Sequence, residues 1–311
     1  MKELIYLMES KMKVVIAGAT GFLGQVVVRQ LLAAGDEVVV LTRNVAKAAL
    51  TLGRSCQFYQ WDNYEILPPV EAFDGADGVI NLLGESISKK WDESYKKKLL
   101  DSRIQSTRNL IAAMETSATK PKVYVSASAI GIYGDRGNEE ISEGSETKSD
   151  GFLAKLCLEW EAEANKAKAR VVTIRTGIVI GRNGGALTKM LPVFKMGLGG
   201  KLGSGNQYMS WIHVEDAAGI FIEALKNDTM SGPVNATAPY PARNAEFTKV
   251  MGKVLKRPTI FPTPAFALNL VFGEMSQVLL EGQKVFPTKV KKTNFRFRYP
   301  TLEMALKETA Y

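Results

Sequence analysis

Two hydroxyls and a phenol stand close together in Ser126-Ala127-Ser128-Ala129-Ile130-Gly131-Ile132-Tyr133-Gly134. Groups of these types can hydrogen-bond a substrate carbonyl or alcohol and move a proton to or from it. They serve equally well as turn and packing residues, with the serines bonding local backbone and the tyrosine filling a core. A second chemical stretch is Val14–Gly24, VVIAGATGFLG, whose glycines fall at 18, 21 and 24. Gly18 suits a tight turn, Gly21 lets backbone approach a pyrophosphate, and Gly24 lets a helix pack on the preceding strand. The helix that follows would aim its free N–H groups and positive dipole end at whatever fills the turn, which favours an anion. Glycines alone are weak evidence. Their strand–turn–helix setting makes dinucleotide binding the favoured reading.

The residue type at the next strand end selects the dinucleotide. NAD sites commonly carry Asp or Glu about twenty residues beyond the glycine turn. This chain instead reads Val40-Leu41-Thr42-Arg43-Asn44. Arg43 could pair with a 2′-phosphate and Thr42 could donate its hydroxyl, so NADP(H) is expected; the alternative is a solvated arginine. A later strand leaves through Leu82-Leu83-Gly84-Glu85, a small-residue backbone suited to a ribose and pyrophosphate, or simply a strand exit. Leu99, Arg103, Thr107, Leu110 and Met114 recur at helical spacing and turn Arg103 inward. A buried guanidinium needs an anion, either a cofactor phosphate or a carboxylate. Lys98 is a weaker candidate of the same kind. The cofactor set is thus Gly18, Thr20, Gly21, Phe22, Leu23, Gly24, Thr42, Arg43, Asp62, Leu82, Leu83, Gly84, Glu85, Lys98, Arg103 and Val179. Arg175 interrupts an apolar run and needs a partner, for which Asp216 is one possibility. His213 reads as structural, with Asp216 placed to cap the helix after it.

These residues need a scaffold, and the apolar pattern supplies one. Strands are expected at Val14–Ile16, Glu37–Leu41, Gln57–Gln60, Gly78–Leu83, Lys122–Ser126 and Arg170–Ile174. Helical patterns occupy Phe22–Leu32, Asp92–Met114 and Phe152–Lys168. Such alternation predicts an α/β, Rossmann-like doubly wound parallel sheet, with ligands at the carboxyl ends of the strands. From Gly181 the chain turns glycine-rich and irregular, then Trp211–Asp216 leads into a helix through Leu225. We expect a dinucleotide-binding domain over residues 12–180, joined by 211–236, and a smaller C-terminal α/β lobe within 181–311.

Composition narrows the function classes. The chain has 311 residues, 46% hydrophobic and 23% charged, as ordinary globular proteins do. Its net charge of +8 fits an anionic ligand, yet no arginine stripe interleaved with aromatics marks a nucleic-acid surface. Two distant cysteines, Cys56 and Cys157, and a single histidine argue against a disulfide framework or a metal centre. MKELIYLMESK lacks the features of a secretory signal, and translation could begin at Met12. Pro264–Phe272 is apolar but too short to span a bilayer. A cytoplasmic protein without membrane or nucleic-acid partners is expected, with a homodimer left open.

Together GATGFLG, NLLG, SASAIGIYG, RTGIVIG and WIHVED resemble the extended short-chain dehydrogenase/reductase superfamily, the NAD-dependent epimerase/dehydratase proteins. The match is closer to an epimerase-like branch with a small C-terminal domain of unknown function, here about residues 258–306. GRNGGAL, GLGGKLGSGNQYMSWIHVED, LLEGQKVFP and FRYPTLEMAL carry that part. The resemblance implies a Rossmann fold, NADP(H) and oxidoreductase or epimerase chemistry; some relatives are named cell-division inhibitors. It also exposes a departure. The superfamily's Tyr-x-x-x-Lys pair is missing: Lys155 has Gly151 where the tyrosine would stand. The family serine maps best to Ser128, with Ser126 second, and the family asparagine is replaced by Arg103. The catalytic candidates are therefore Ser128, Tyr133 and Lys155. Two functions follow: an NADPH-dependent enzyme acting on a small carbonyl or hydroxyl compound, or an NADPH-sensing module without turnover.

Overall fold

Val14 and Ile16 face one side of a parallel sheet and Val15 and Ala17 the other, all fully buried, so this strand lies at the centre of two cores. The computed structural model describes residues 11–62 and 66–310. The expectation about residues 1–11 lies, Lys11 apart, outside the described residues.

The first half alternates strand and helix: β1 (Lys13–Ala17), α1 (Phe22–Ala33), β2 (Glu37–Thr42), α2 (Val45–Leu52), β3 (Gln57–Gln60), β4 (Gly78–Asn81), α3 (Glu93–Thr116) and β5 (Val123–Ala129). After the short β6 (Glu140–Ile141) come α4 (Phe152–Ala164), β7 (Arg170–Thr176), β8 (Ile178–Gly181), β9 (Gly184–Gly185) and α5 (Leu187–Lys195). The rest comprises β10 (Tyr208–Met209), β11 (Trp211–His213), α6 (Val214–Lys226), β12 (Gly232–Ala236), β13 (Ala242–Arg243), α7 (Asn244–Leu255), α8 (Ala265–Phe272), α9 (Gln277–Leu280), β14 (Lys284–Val285) and α10 (Leu302–Ala310).

Seven strands form the main sheet in the order β12-β7-β5-β4-β1-β2-β3, every pair parallel. The doubly wound sheet expected from the sequence is thus present. Its order reverses between β1 and β4, which opens a crevice beyond their carboxyl ends. Val27 and Leu31 of α1 and Phe221 of α6 cover one face, while Leu110 and Met114 of α3 cover the other. Asp92 starts α3 by accepting the Tyr95 N–H at 2.8 Å.

Several boundaries move. β4 stops at Asn81, because the Asn81 side chain turns back to accept the Leu83 N–H and ends the ladder. β5 runs three residues further than expected, paired with β7 through Ala129. Beyond β7 the chain crosses to a small sheet, β11-β8-β9, which packs with α5, α7 and α10 around Trp211, Phe247 and Leu306. The chain returns to the main sheet at β12, a short Gly-Pro-Val-Asn-Ala strand whose composition gives little β signal.

One contact fixes how α1 meets β1. A Cβ at Gly24 would lie 2.3 Å from the Gly18 carbonyl oxygen, with the Ala19 backbone beside it. Gly24→Ala should therefore cost about 1–3 kcal/mol of unfolding free energy, measured by urea titration. Unchanged stability would mean that the turn yields without strain.

Candidate functional site

The turn after β1 leaves backbone donors unclaimed. Gly18 has φ of +85°, and a Cβ there would meet the Leu82 backbone at 2.8 Å, so only glycine fits without displacement. Gly21 caps α1 without any side-chain hydrogen bond, and the first turn holds no acidic residue. The N–H groups of that turn are available to an anion.

A cavity of about 430 Å³ opens beside the turn. Gly18, Thr20 and Gln25 form one wall, and Leu83, Gly84, Glu85 and Ser102 another. Thr42, Arg43, Asn44, Lys47 and Thr51 close the far end, with Leu41, Ala48 and Trp61 behind them. Asn44 caps α2 by accepting the Lys47 N–H at 2.9 Å, which sets Lys47 one turn beyond Arg43. Both cations are exposed, and neither has an ion-pair partner among the described residues. Lys47 and Thr51 were not expected from the sequence, although Arg43, Lys47 and Thr51 follow one another at four-residue steps.

Gly18, Thr20, Thr42, Arg43, Leu83, Gly84 and Glu85 thus meet around one cavity. Other expected residues lie off its wall. Gly21 and Gly24 shape the turn and the start of α1. The Phe22 ring packs against Gly184 and Gly185, and Leu23, Leu82 and Val179 pack on the main core. Asp62 and Lys98 are exposed side chains outside it. Arg103 donates to the carbonyls of Leu99 at 3.1 Å and Glu85 at 3.0 Å and lies over Trp160. A Cβ at Gly84 would come within 3.0 Å of its guanidinium. Arg103 therefore clasps the loop after β4 from behind the cavity wall.

The serine–tyrosine segment leads into a buried polar network. Ser128 Oγ donates to Glu161 Oε1 at 2.7 Å. Glu161 holds Arg175 through two bonds, at 2.9 and 2.8 Å. Arg175 donates to the Tyr133 hydroxyl at 2.9 Å, and that hydroxyl donates to Asn235 Oδ1 at 2.8 Å. The partner of Arg175 is thus Glu161 and not Asp216, whose carboxylate accepts the Arg298 and Tyr299 N–H groups. Burial works against the charge of Arg175, but the bonds from Glu161 prevail and hold its pKa above the ordinary arginine value. Burial also pushes the Tyr133 phenol up, against the opposing pull of Arg175. The expectation that Tyr133 lends its phenol to a substrate is corrected here: the ring has no exposure and its hydroxyl is bonded on both sides. Ser128 is likewise buried and engaged.

Helix α4 presents a different face from the one expected. Gly151, with φ of +85°, and Lys155 are both exposed. Leu153 packs beside Gly131, and Cys157 packs with Ile130, Ile132 and Tyr133. Leu153 and Cys157 therefore hold the Tyr-x-x-x-Lys spacing on the side turned to the β5 exit. One has no titratable group, and burial pushes the other's thiol up to about 12.

His213 belongs to the scaffold. Its Nδ1 caps α6 by accepting the Glu215 N–H, its Nε2 lies 3.0 Å from Glu308, and Tyr299 stacks on its ring. The cap is this ring rather than Asp216. Among the described residues no group of three metal-ligating side chains comes together, and no helix is long and apolar enough to cross a membrane.

Removing one partner of a buried ion pair leaves the other charge stranded. Glu161→Gln should cost about 3–5 kcal/mol in urea unfolding, and Ser128→Ala only about 1 kcal/mol. Equal costs would show that Arg175 finds another partner. Burial outweighs Glu308 and holds His213 below the ordinary imidazole value of 6.5. The unfolded chain then binds the proton more readily, so this stability is complete above pH 6.5 and is lost as pH falls through the folded pKa. His213→Asn, which keeps a capping acceptor, should flatten that limb of a melting temperature–pH profile.

Known proteins share this fold. The profile of the NAD dependent epimerase/dehydratase family matches residues 14–237, and that of a domain of unknown function, DUF1731, matches residues 263–309. The chain is 40% identical over 310 residues to the chloroplastic homolog of epimerase family protein SDR39U1 from Arabidopsis thaliana, covering 96% of this chain and 87% of that protein. It is 38% identical over 300 residues to epimerase family protein YfhF from Bacillus subtilis (strain 168), covering 96% and 97%. The crystal structure of human epimerase family protein SDR39U1 (isoform 2) with NADPH matches at a TM-score of 0.86 and 35% identity, over 96% of this chain and 99% of that one. A UDP-glucuronic acid 4-epimerase from Bacillus cereus, 16% identical with a TM-score of 0.76 over 96% of this chain and 98% of that one, shares the fold. Glycine turn, parallel sheet and C-terminal region agree in one conclusion: the chain belongs to the NAD dependent epimerase/dehydratase family and ends in a DUF1731 region.

Proposed function

We propose that the protein binds NADP(H) in the cavity beside the glycine turn and acts on a small carbonyl or hydroxyl compound as an oxidoreductase or epimerase. The observation that carries the cofactor reading is the far end of that cavity, where Arg43 and Lys47 stand with no carboxylate partner among the described residues. An acid there would repel a 2′-phosphate; two cations and the Thr42 hydroxyl attract one. The uncapped first turn of α1, with Gly18 and Thr20, fits the pyrophosphate. The NADPH in the human relative's structure supports the same choice.

When bound, the cofactor supplies hydride exchange at its nicotinamide. The chain's part is to hold and orient. Ser128 and Tyr133 act through the network with Glu161 and Arg175, which fixes the end of β5. Of the three catalytic candidates, Lys155 alone keeps its side chain in solvent, but it stands on the face of α4 away from the β5 exit, so a water would have to move any proton there. A second reading, an NADPH sensor without turnover, is favoured by the inert pair Leu153 and Cys157 on the face turned to β5.

Isothermal titration should give tighter binding of NADPH than NADH. Arg43→Ala should weaken NADPH by about ten- to hundredfold and leave NADH unaffected. Equal affinities in the wild type would remove the 2′-phosphate assignment. A carbonyl panel followed by NADPH absorbance separates the two readings. Turnover that survives both Tyr133→Phe and Lys155→Ala supports an enzyme working through water, whereas tight NADPH binding without turnover across the panel supports the sensor.

A further inference from the structure

Exposed apolar side chains concentrate on one part of the C-terminal lobe. Of the thirteen large hydrophobic residues exposed among the described residues, eight lie on two short segments. Val193, Met196 and Leu198 stand on the end of α5 and the turn after it. Ile260, Phe261, Phe266, Leu270 and Val271 stand on α8 and the stretch leading to it. The two segments run side by side. Leu202 bridges Thr263, Thr263 N–H donates to the Lys201 carbonyl at 2.9 Å, and Gly203 N–H donates to the Thr263 carbonyl at 2.9 Å.

Helix α8 departs from ordinary surface helices. Its sequence AFALNLVF has no charged residue, yet only Leu268 is buried, while Phe266 is 74% and Leu270 82% exposed. A water-facing helix normally sets charge on its outer side. Here the charge stands beside the helix: Glu274 and Glu281 lie past its C-terminal end, while the stretch leading to it from α7 carries only cations. Between Glu246 and Glu274, and again between Glu163 and Glu215, the sequence holds no Asp or Glu. Lys195, Lys201, Lys256 and Arg257 are exposed around the apolar side chains, and none has an ion-pair partner among the described residues.

We propose that this face of the lobe docks on the surface of an anionic lipid bilayer. Phe266, Leu270 and Ile260 would enter the boundary between headgroups and acyl chains, and the cations would meet lipid phosphates. The charge pattern selects this occupant over a second copy of the chain. A two-fold interface through the face would set Lys195, Lys201, Lys256 and Arg257 against their own copies, and Glu274 beside α8 is already paired with Lys96. A bilayer supplies apolar depth and a continuous negative sheet together. Such contact is peripheral and consistent with the absence of a spanning helix among the described residues. It is independent of the cofactor assignment.

Flotation of the full-length protein with vesicles tests it. Binding is expected with phosphatidylcholine vesicles containing about one third phosphatidylglycerol and not with phosphatidylcholine alone, and added salt should weaken it. Phe266→Ser/Leu270→Ser and Lys256→Glu/Arg257→Glu should each reduce binding by about tenfold or more, with melting temperature and NADPH affinity unchanged. Absence of binding to the anionic vesicles overturns the proposal. So does binding that persists in both double variants. A concentration-dependent dimer in light scattering, abolished by Phe266→Ser/Leu270→Ser, would assign the face to self-association instead.

Discussion

An arginine near the end of a central strand can be buried only if the fold brings it a carboxylate. Arg175 of β7 meets this constraint through Glu161 of α4, and the surrounding structure arranges itself about the pair. Glu161 also holds Ser128 at the end of β5, and Arg175 holds Tyr133 beyond it. Through Asn235 the chain of bonds reaches β12 and the Phe286 carbonyl. The Asn235 N–H in turn meets Glu143, which also accepts the Lys289 N–H. Four elements of the main sheet region and part of the C-terminal segment therefore share one polar connection. A partly satisfied network of this kind costs more than an apolar core, so its completeness explains why the exit of β5 has little freedom.

The network also separates two roles that look alike in sequence. A serine and a tyrosine at the end of a Rossmann strand suggest proton transfer. Here the same groups are occupied with each other's neighbours, and the side of α4 turned toward them carries Leu153 and Cys157. Fold and family do not by themselves supply chemistry. In this chain the glycine turn and Arg43 keep residue types suited to a dinucleotide, while Ser128 and Tyr133 are held within a buried polar network.

That division explains what the sequence made legible. The glycine turn, the strand order around it and Arg43 depend on short spacings, which periodicity and residue type reveal. Asn81 ending β4 and Asn44 setting Lys47 over the cavity are also local, but each needs side-chain direction as well as spacing. The rest depends on contacts between residues far apart in the chain. Glu161 could not be told from Asp216 as the partner of Arg175, because both lie in amphipathic helices and only the packing of α4 on β5 selects one. Tyr133 gave a functional appearance because burial, which removes it from solvent, comes from β12 and the Val285 segment. The β12 strand itself carries almost no propensity and exists because β7 offers it an edge.

The Phe22 ring is the second residue of the turn that starts α1, and it forms the surface on which Gly184 and Gly185 rest. Those glycines pair with β8, the strand that opens the small sheet. The floor of the small sheet therefore rests on the glycine turn. A Cβ at Gly184 would lie 2.1 Å from that ring and one at Gly185 2.9 Å, so neither position admits a side chain unless Phe22 moves. Two glycines far along the chain are thereby fixed in type by the first side chain of α1.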